Sequence, residues 1–146
     1  MWLALVLACG GDAEEEDGIF AISDGDLSGV VGGEAWSFAS GETDSYLSSE
    51  EDGFFTSLYT EDLEVCGWET TEQPFVLLSI PYEPGTYPFS GSINATFSPD
   101  WGENLVTFDG TLIVDEVTDT TVTAGLYAIY DEDNEVDGWF TVDICE

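Results

Sequence analysis

The sequence contains no lysine, no arginine and no histidine. Against 32 Asp and Glu residues, this leaves a formal net charge of −32 over 146 residues. Each absence removes a class of chemistry. Without imidazole there is no base for Ser-His-Asp or Cys-His catalysis. Without lysine or arginine there is no Schiff base, no P-loop amine and no arginine finger. His-ligated zinc or iron is excluded. No side-chain salt bridge and no side-chain cation–π contact can form within the chain. Nucleic acid is not expected as a partner, because phosphate binding rests mainly on Lys and Arg. What remains is chemistry by carboxylates, hydroxyls, amides, backbone and aromatics, on a surface whose natural ligands are cations.

High charge alone marks disorder only when hydrophobicity is low. Here 43% of residues are hydrophobic and 14% aromatic, enough for a core. The length predicts one domain. Uncompensated carboxylates repel one another in the compact state, and the screening length falls from ~8 Å at 0.15 M salt to ~3 Å at 1 M. The domain is therefore expected to gain stability in salt. A saline habitat accounts for both the acidic excess and the missing lysines; the alternative is an acidic secreted protein in ordinary medium.

Residues Trp2 to Ala8 form an uncharged apolar run, short for a signal segment. It is far below the ~20 residues that span a bilayer. It ends in Val6-Leu7-Ala8-Cys9-Gly10, which resembles the lipobox of bacterial lipoproteins, where the Cys is acylated and becomes the first mature residue. Leu7 stands where a small residue is common. No positively charged segment precedes the run, which suggests a start upstream of Met1. The competing reading is a short buried strand with a free Cys9. Gly10 to Gly18 follows as an acidic, solvated linker. The expected layout is a signal segment at 1–8, a lipidated Cys9 with linker at 9–23, and a folded domain at 24–146. In the lipoprotein family a residue other than Asp after the Cys favours outer-membrane sorting, and Gly10 fits. With Cys9 taken by lipid, Cys66 and Cys145 remain, and an even remainder in an exported domain reads as one disulfide. The alternative is two buried thiols.

The body reads as all-β. Thr, Val, Tyr, Phe and Trp dominate its apolar runs, and Gly and Asp punctuate at sandwich or barrel spacing. An antiparallel β-sandwich of about eight to ten strands is expected, with a jelly roll as a variant. Leu27–Val31 and Ala35–Ala39 flank Gly32-Gly33-Glu34 as a hairpin. Phe54–Thr60, Ile93–Phe97 and Leu105–Phe108 read as strands. Phe75–Ile80 reads as a fully buried strand, and Pro88 places its segment at an edge. Asp109-Gly110, Ala124-Gly125 and Asp137-Gly138 each precede an alternating strand. The repeated glycine reads as a bulge or crowded crossing rather than three tight turns.

The segment Gly32, Trp36, Phe38, Gly41, the Pro84-Gly85-Thr86-Tyr87 turn, the glycine echo and the final Cys together resemble small uncharacterised lipoproteins of myxobacteria-like organisms. The resemblance covers most of residues 27 to 145. It implies fold and location and brings no activity.

Asp131 to Gly138 is the densest oxygen-ligand run. Asp131, Asp133, Glu135 and Asp137 are candidate calcium ligands. An EF-hand counted from Asp133 fails at position twelve, which is Ile144, and a strand follows where a helix should. The competing reading is a solvated acidic hairpin loop. Trp101, in a Pro-Asp-Trp-Gly turn, is the candidate for an exposed carbohydrate-stacking ring, and Trp36 reads as core. A carboxylate-pair hydrolase is a remote alternative; Asp109-Gly110-Thr111 does not have the aspartic-protease order. The function expected from sequence is a non-enzymatic envelope lipoprotein, a binding or structural module held to the membrane by its lipid. Cations and an envelope protein or glycan are its candidate partners, and a calcium-dependent or carbohydrate-binding module is the alternative.

Overall fold

The computed structural model describes residues 15–16, 19–51, 53–67, 69–100 and 102–146. Cys9, Trp68 and Trp101 lie outside the described residues. The described residues contain strands and no helix: β1 (Glu15–Glu16), β2 (Ile19–Phe20), β3 (Ser28–Val31), β4 (Glu34–Ser37), β5 (Ser40–Ser49), β6 (Gly53–Tyr59) and β7 (Phe75–Ile80), followed by β8 (Gly85–Pro88), β9 (Ala95–Ser98), β10 (Leu105–Thr107), β11 (Gly110–Val117), β12 (Thr121–Asp131) and β13 (Asn134–Asp143).

The fold is an antiparallel β-sandwich whose two layers are joined in one curled, eleven-stranded sheet, ordered β10-β9-β7-β6-β5-β13-β12-β11-β8. The β3–β4 hairpin joins through β3 on β13. Strand β13 is the seam: its first half pairs antiparallel with β3, and Asp143 near its end pairs parallel with Glu42 of β5. The count exceeds eight to ten because the mostly polar run Ser40–Ser49 forms β5 and the preceding acidic segment contributes the short β1–β2 pair. At Phe38–Ala39 the chain stops pairing with β3 and starts pairing with β6. At Phe108–Asp109 it passes from β9 to the partners β12 and β8. Sandwiches turn corners where a strand changes sheets in this way.

Local chemistry explains the turns. Gly32 and Gly33 both have positive φ, 63° and 76°. That is the two-residue turn whose twist matches antiparallel strands, and Val31 pairs with Glu34 across it. Strand β8 pairs with β11 alone, so Pro88 does sit on an edge.

One sequence expectation needs correction and another is narrowed. Strand β7 is not buried on both faces: Val76, Leu78 and Ile80 face the core, and Phe75, Leu77 and Ser79 are half-buried, because an antiparallel layer leaves its outer face partly wet. The glycine echo marks crowded crossings, one of the two readings offered for it, rather than bulges. The register shifts of β11 and β12 fall at Val114/Glu116 and Ile129/Asp131. At Gly125 a Cβ would stand 2.9 Å from the Trp139 indole, and at Gly138 2.6 Å from the Asp26 carbonyl oxygen.

The core between the layers holds Leu27, Trp36, Leu58, Ile80, Phe97, Leu112, Leu126 and Val136. Trp36 is 2% exposed, and its indole N–H donates to the Pro74 carbonyl at 2.9 Å, so burial leaves no polar atom unpaired. The end of the segment at 9–23, beyond the Gly10 to Gly18 run expected to be solvated, is docked on the sheet. Phe20 stacks on Tyr127 with centroids 4.9 Å apart, and its N–H donates to Thr111 Oγ1. An aromatic in an otherwise acidic segment covers apolar surface rather than facing water.

Candidate functional site

Two surfaces gather the chemistry-bearing side chains. The first is the β12–β13 turn, where the sequence places candidate calcium ligands. Asp131 pairs across it with Asn134. Asp131 Oδ1 accepts from the Asp133 N–H and from Asn134 Nδ2, both at 3.0 Å. Glu135 accepts the Tyr127 hydroxyl at 3.0 Å. Asp137 takes both donors of Ser23, its N–H at 2.9 Å and its hydroxyl at 2.6 Å. Three of the four carboxylates thus already satisfy the protein's own donors. No three of the four bring oxygens within 4.8 Å of one another. The turn opens on a cavity of about 630 Å³ with Glu34, Asp100, Glu103, Asp133 and Tyr130 in its wall.

Sequence reading passed over Asn134, which organises this end. It is 3% exposed. Its carbonyl oxygen accepts the Gly32 N–H at 2.9 Å while its amide donates to Asp131. It ties the Gly32–Gly33 turn to the acidic turn, helped by the Gly33 N–H on the Asp133 carbonyl at 3.0 Å. Asn134→Ala removes the acceptor of the Gly32 N–H and one of the two donors to Asp131 Oδ1, and leaves a gap at a buried position. The expected loss is about 2 kcal/mol of stability, read from the midpoint of urea unfolding at unchanged slope.

The second surface surrounds the disulfide. Cys66 and Cys145 are bonded, with Cα atoms 5.3 Å apart. Both flank β5: the Cys145 N–H donates to Thr43 Oγ1 at 3.0 Å, and the Cys66 N–H to Glu42 Oε2. The other oxygen of Glu42 accepts the Tyr59 hydroxyl at 3.2 Å. Burial raises the Tyr59 phenol above its ordinary 10.0, the Ser57 hydrogen bond pulls it down, and the negative charges of Glu42 and Asp44 raise it further. Among the described residues, Glu42, Cys66 and Cys145 form the group of three ligand-type atoms within 4.8 Å. With the sulfurs bonded to each other they offer no thiolate to a metal.

A groove leads away from the disulfide. It consists of three adjoining cavities of about 250, 320 and 380 Å³. The first two share Thr43, Ser45 and Cys145, and the last two share Glu50 and Tyr82. Phe54 meets Tyr82 edge-on at 4.5 Å. Glu51 and Glu83 stand at the far end with Tyr87 and Ile93.

No protein-family model, curated protein or solved structure matches this chain.

Proposed function

We propose that this chain is a cell-envelope lipoprotein, tethered through acylated Cys9, whose acidic β-sandwich serves as a non-enzymatic binding or structural module. The observation that carries the reading is the Cys66–Cys145 disulfide. Such bonds persist in oxidising compartments such as the periplasm and the cell surface, and are rare where thiols are kept reduced. Pairing those two cysteines leaves Cys9 as the odd thiol of three, placed at the end of an apolar run and before an acidic stretch. The outer membrane is the expected destination, because Gly10 follows the Cys. The lipobox and the wider lipoprotein resemblance favour the same assignment.

The test is metabolic labelling with a palmitate analogue in a diderm bacterial host, using the full chain. The wild type and the Cys66→Ser/Cys145→Ser variant should both carry label in the membrane fraction, and Cys9→Ser should carry none. A mature wild-type protein with an unacylated Cys9 overturns the anchor.

A further inference from the structure

Four of the six tyrosines in the chain, Tyr46, Tyr59, Tyr82 and Tyr87, lie along the groove beside the disulfide. Three of the rings are held in place, Tyr59 by Glu42. The Tyr82 hydroxyl donates to the Ser49 carbonyl and the Tyr87 hydroxyl to the Glu83 carbonyl, both at 2.7 Å. Tyr46 is 96% exposed, yet the backbone of this bulged stretch of β5 is pinned. The N–H groups of Tyr46 and Leu47 donate to Asp44 Oδ1 at 2.8 and 3.2 Å, and the Ser48 hydroxyl donates to the Asp44 carbonyl at 2.6 Å. Rings fixed before binding lose little rotamer freedom on contact, the economy by which tyrosine dominates recognition surfaces.

Charge selects the ligand. Glu50, Glu51 and Glu83 stand beside Tyr82 and Tyr87, and Glu42, Asp44 and Glu146 beside Tyr46 and Tyr59. An aromatic face attracts a cation through its quadrupole, and a neighbouring carboxylate adds to that attraction. The chain owns no cation to occupy these places. An anionic ligand is repelled. A neutral glycan could stack on the rings but would leave the carboxylates without a counter-charge. Three cavities in series fit a chain better than a compact small molecule.

We propose that this groove binds an extended polypeptide segment rich in lysine or arginine, whose cationic groups stack on Tyr46, Tyr82 and Tyr87 and pair with Glu50, Glu51 and Glu83. This deepens the binding-module part of the proposed function and is independent of the lipid anchor.

A net charge of −32 attracts any polycation, so the decisive variants leave the charge unchanged. A fluorescent, unstructured peptide with alternating Lys and Arg is titrated into the full chain in 0.15 M NaCl. Tyr46→Ser and Tyr82→Leu should each weaken binding at least tenfold. Tyr130→Ser, in the other acidic cavity, should change it less than twofold. Tyr46 touches solvent on nearly every side, so its replacement tests the groove even if Tyr82→Leu lowers the melting temperature. Equal affinity in all four proteins would mean unspecific charge attraction and overturn the proposal. So would tighter, salt-insensitive binding of a neutral oligosaccharide that displaces the peptide and depends on Tyr82. Palmitate labelling reads the anchor separately, so loss of either result leaves the other standing.

Discussion

Cys66→Ser combined with Cys145→Ser is expected to cost about 4 to 5 kcal/mol of stability, a fall of on the order of 15 °C in melting temperature for a domain of this size. The bond spans a sequence separation of 79, so it removes much of the freedom of the unfolded chain, and loop-closure entropy sets that magnitude. The Cα separation of 5.3 Å falls in the ordinary range, while Cys66 itself sits in the left-handed region at φ 61°. The bond also clips two otherwise weakly held pieces to β5. The connection between β6 and β7, residues 60–74, contains no strand among its described residues, and the chain beyond β13 has left the sheet. Urea unfolding of the oxidised, reduced and double-Ser proteins checks the estimate. A shift under about 1 kcal/mol would mean that the unfolded chain is already restrained near this pairing, and that the bond is a surface clip.

The pairing was readable by counting cysteines, and the strands by their residue types. Gly32-Gly33 announced its hairpin because two consecutive positive φ values need glycine. Pro88 announced its edge because it cannot donate to a ladder. The strand ends at Ala39 and Phe108 were readable, but not the change of partner there, since residue types do not name the strand that a run pairs with. The acidic turn misled for a related reason. Its carboxylates look like a ligand set in sequence, but Asp137 is engaged by Ser23, 114 positions away, and Asn134 by Gly32, 102 away. The tyrosine groove was invisible because each tyrosine alone reads as a strand former. Strand β5, β6 and the segment after β7 bring them together only once the sheet has curled.

Raising NaCl from 0.1 to 2 M is expected to stabilise the domain by on the order of 5 kcal/mol, or roughly 15 °C in melting temperature. Two carboxylates 10 Å apart repel by about 0.4 kcal/mol in water, and 32 acids with no basic side chain offer many such pairs and no compensating one. At 0.1 M the screening length is about 10 Å, and at 1 M about 3 Å, so salt removes most of the repulsion. The unfolded chain holds the same charges farther apart and gains less. Replacing the exposed Glu103, Glu116 and Glu132 by Gln should then raise the melting temperature in low salt and leave it nearly unchanged in high salt. Calcium chloride at matched ionic strength should match sodium chloride, because no three of Asp131, Asp133, Glu135 and Asp137 converge. A calcium-specific rise that saturates at low concentration would mean that the turn abandons its bonds to Ser23, Tyr127 and Asn134 to wrap an ion. In that case the acids of β13 would be ligands before they are struts. If ionic strength alone sets the stability, the charge is a solvated coat that keeps the domain soluble in brine and leaves the tyrosine groove as the place where a cationic partner is recognised.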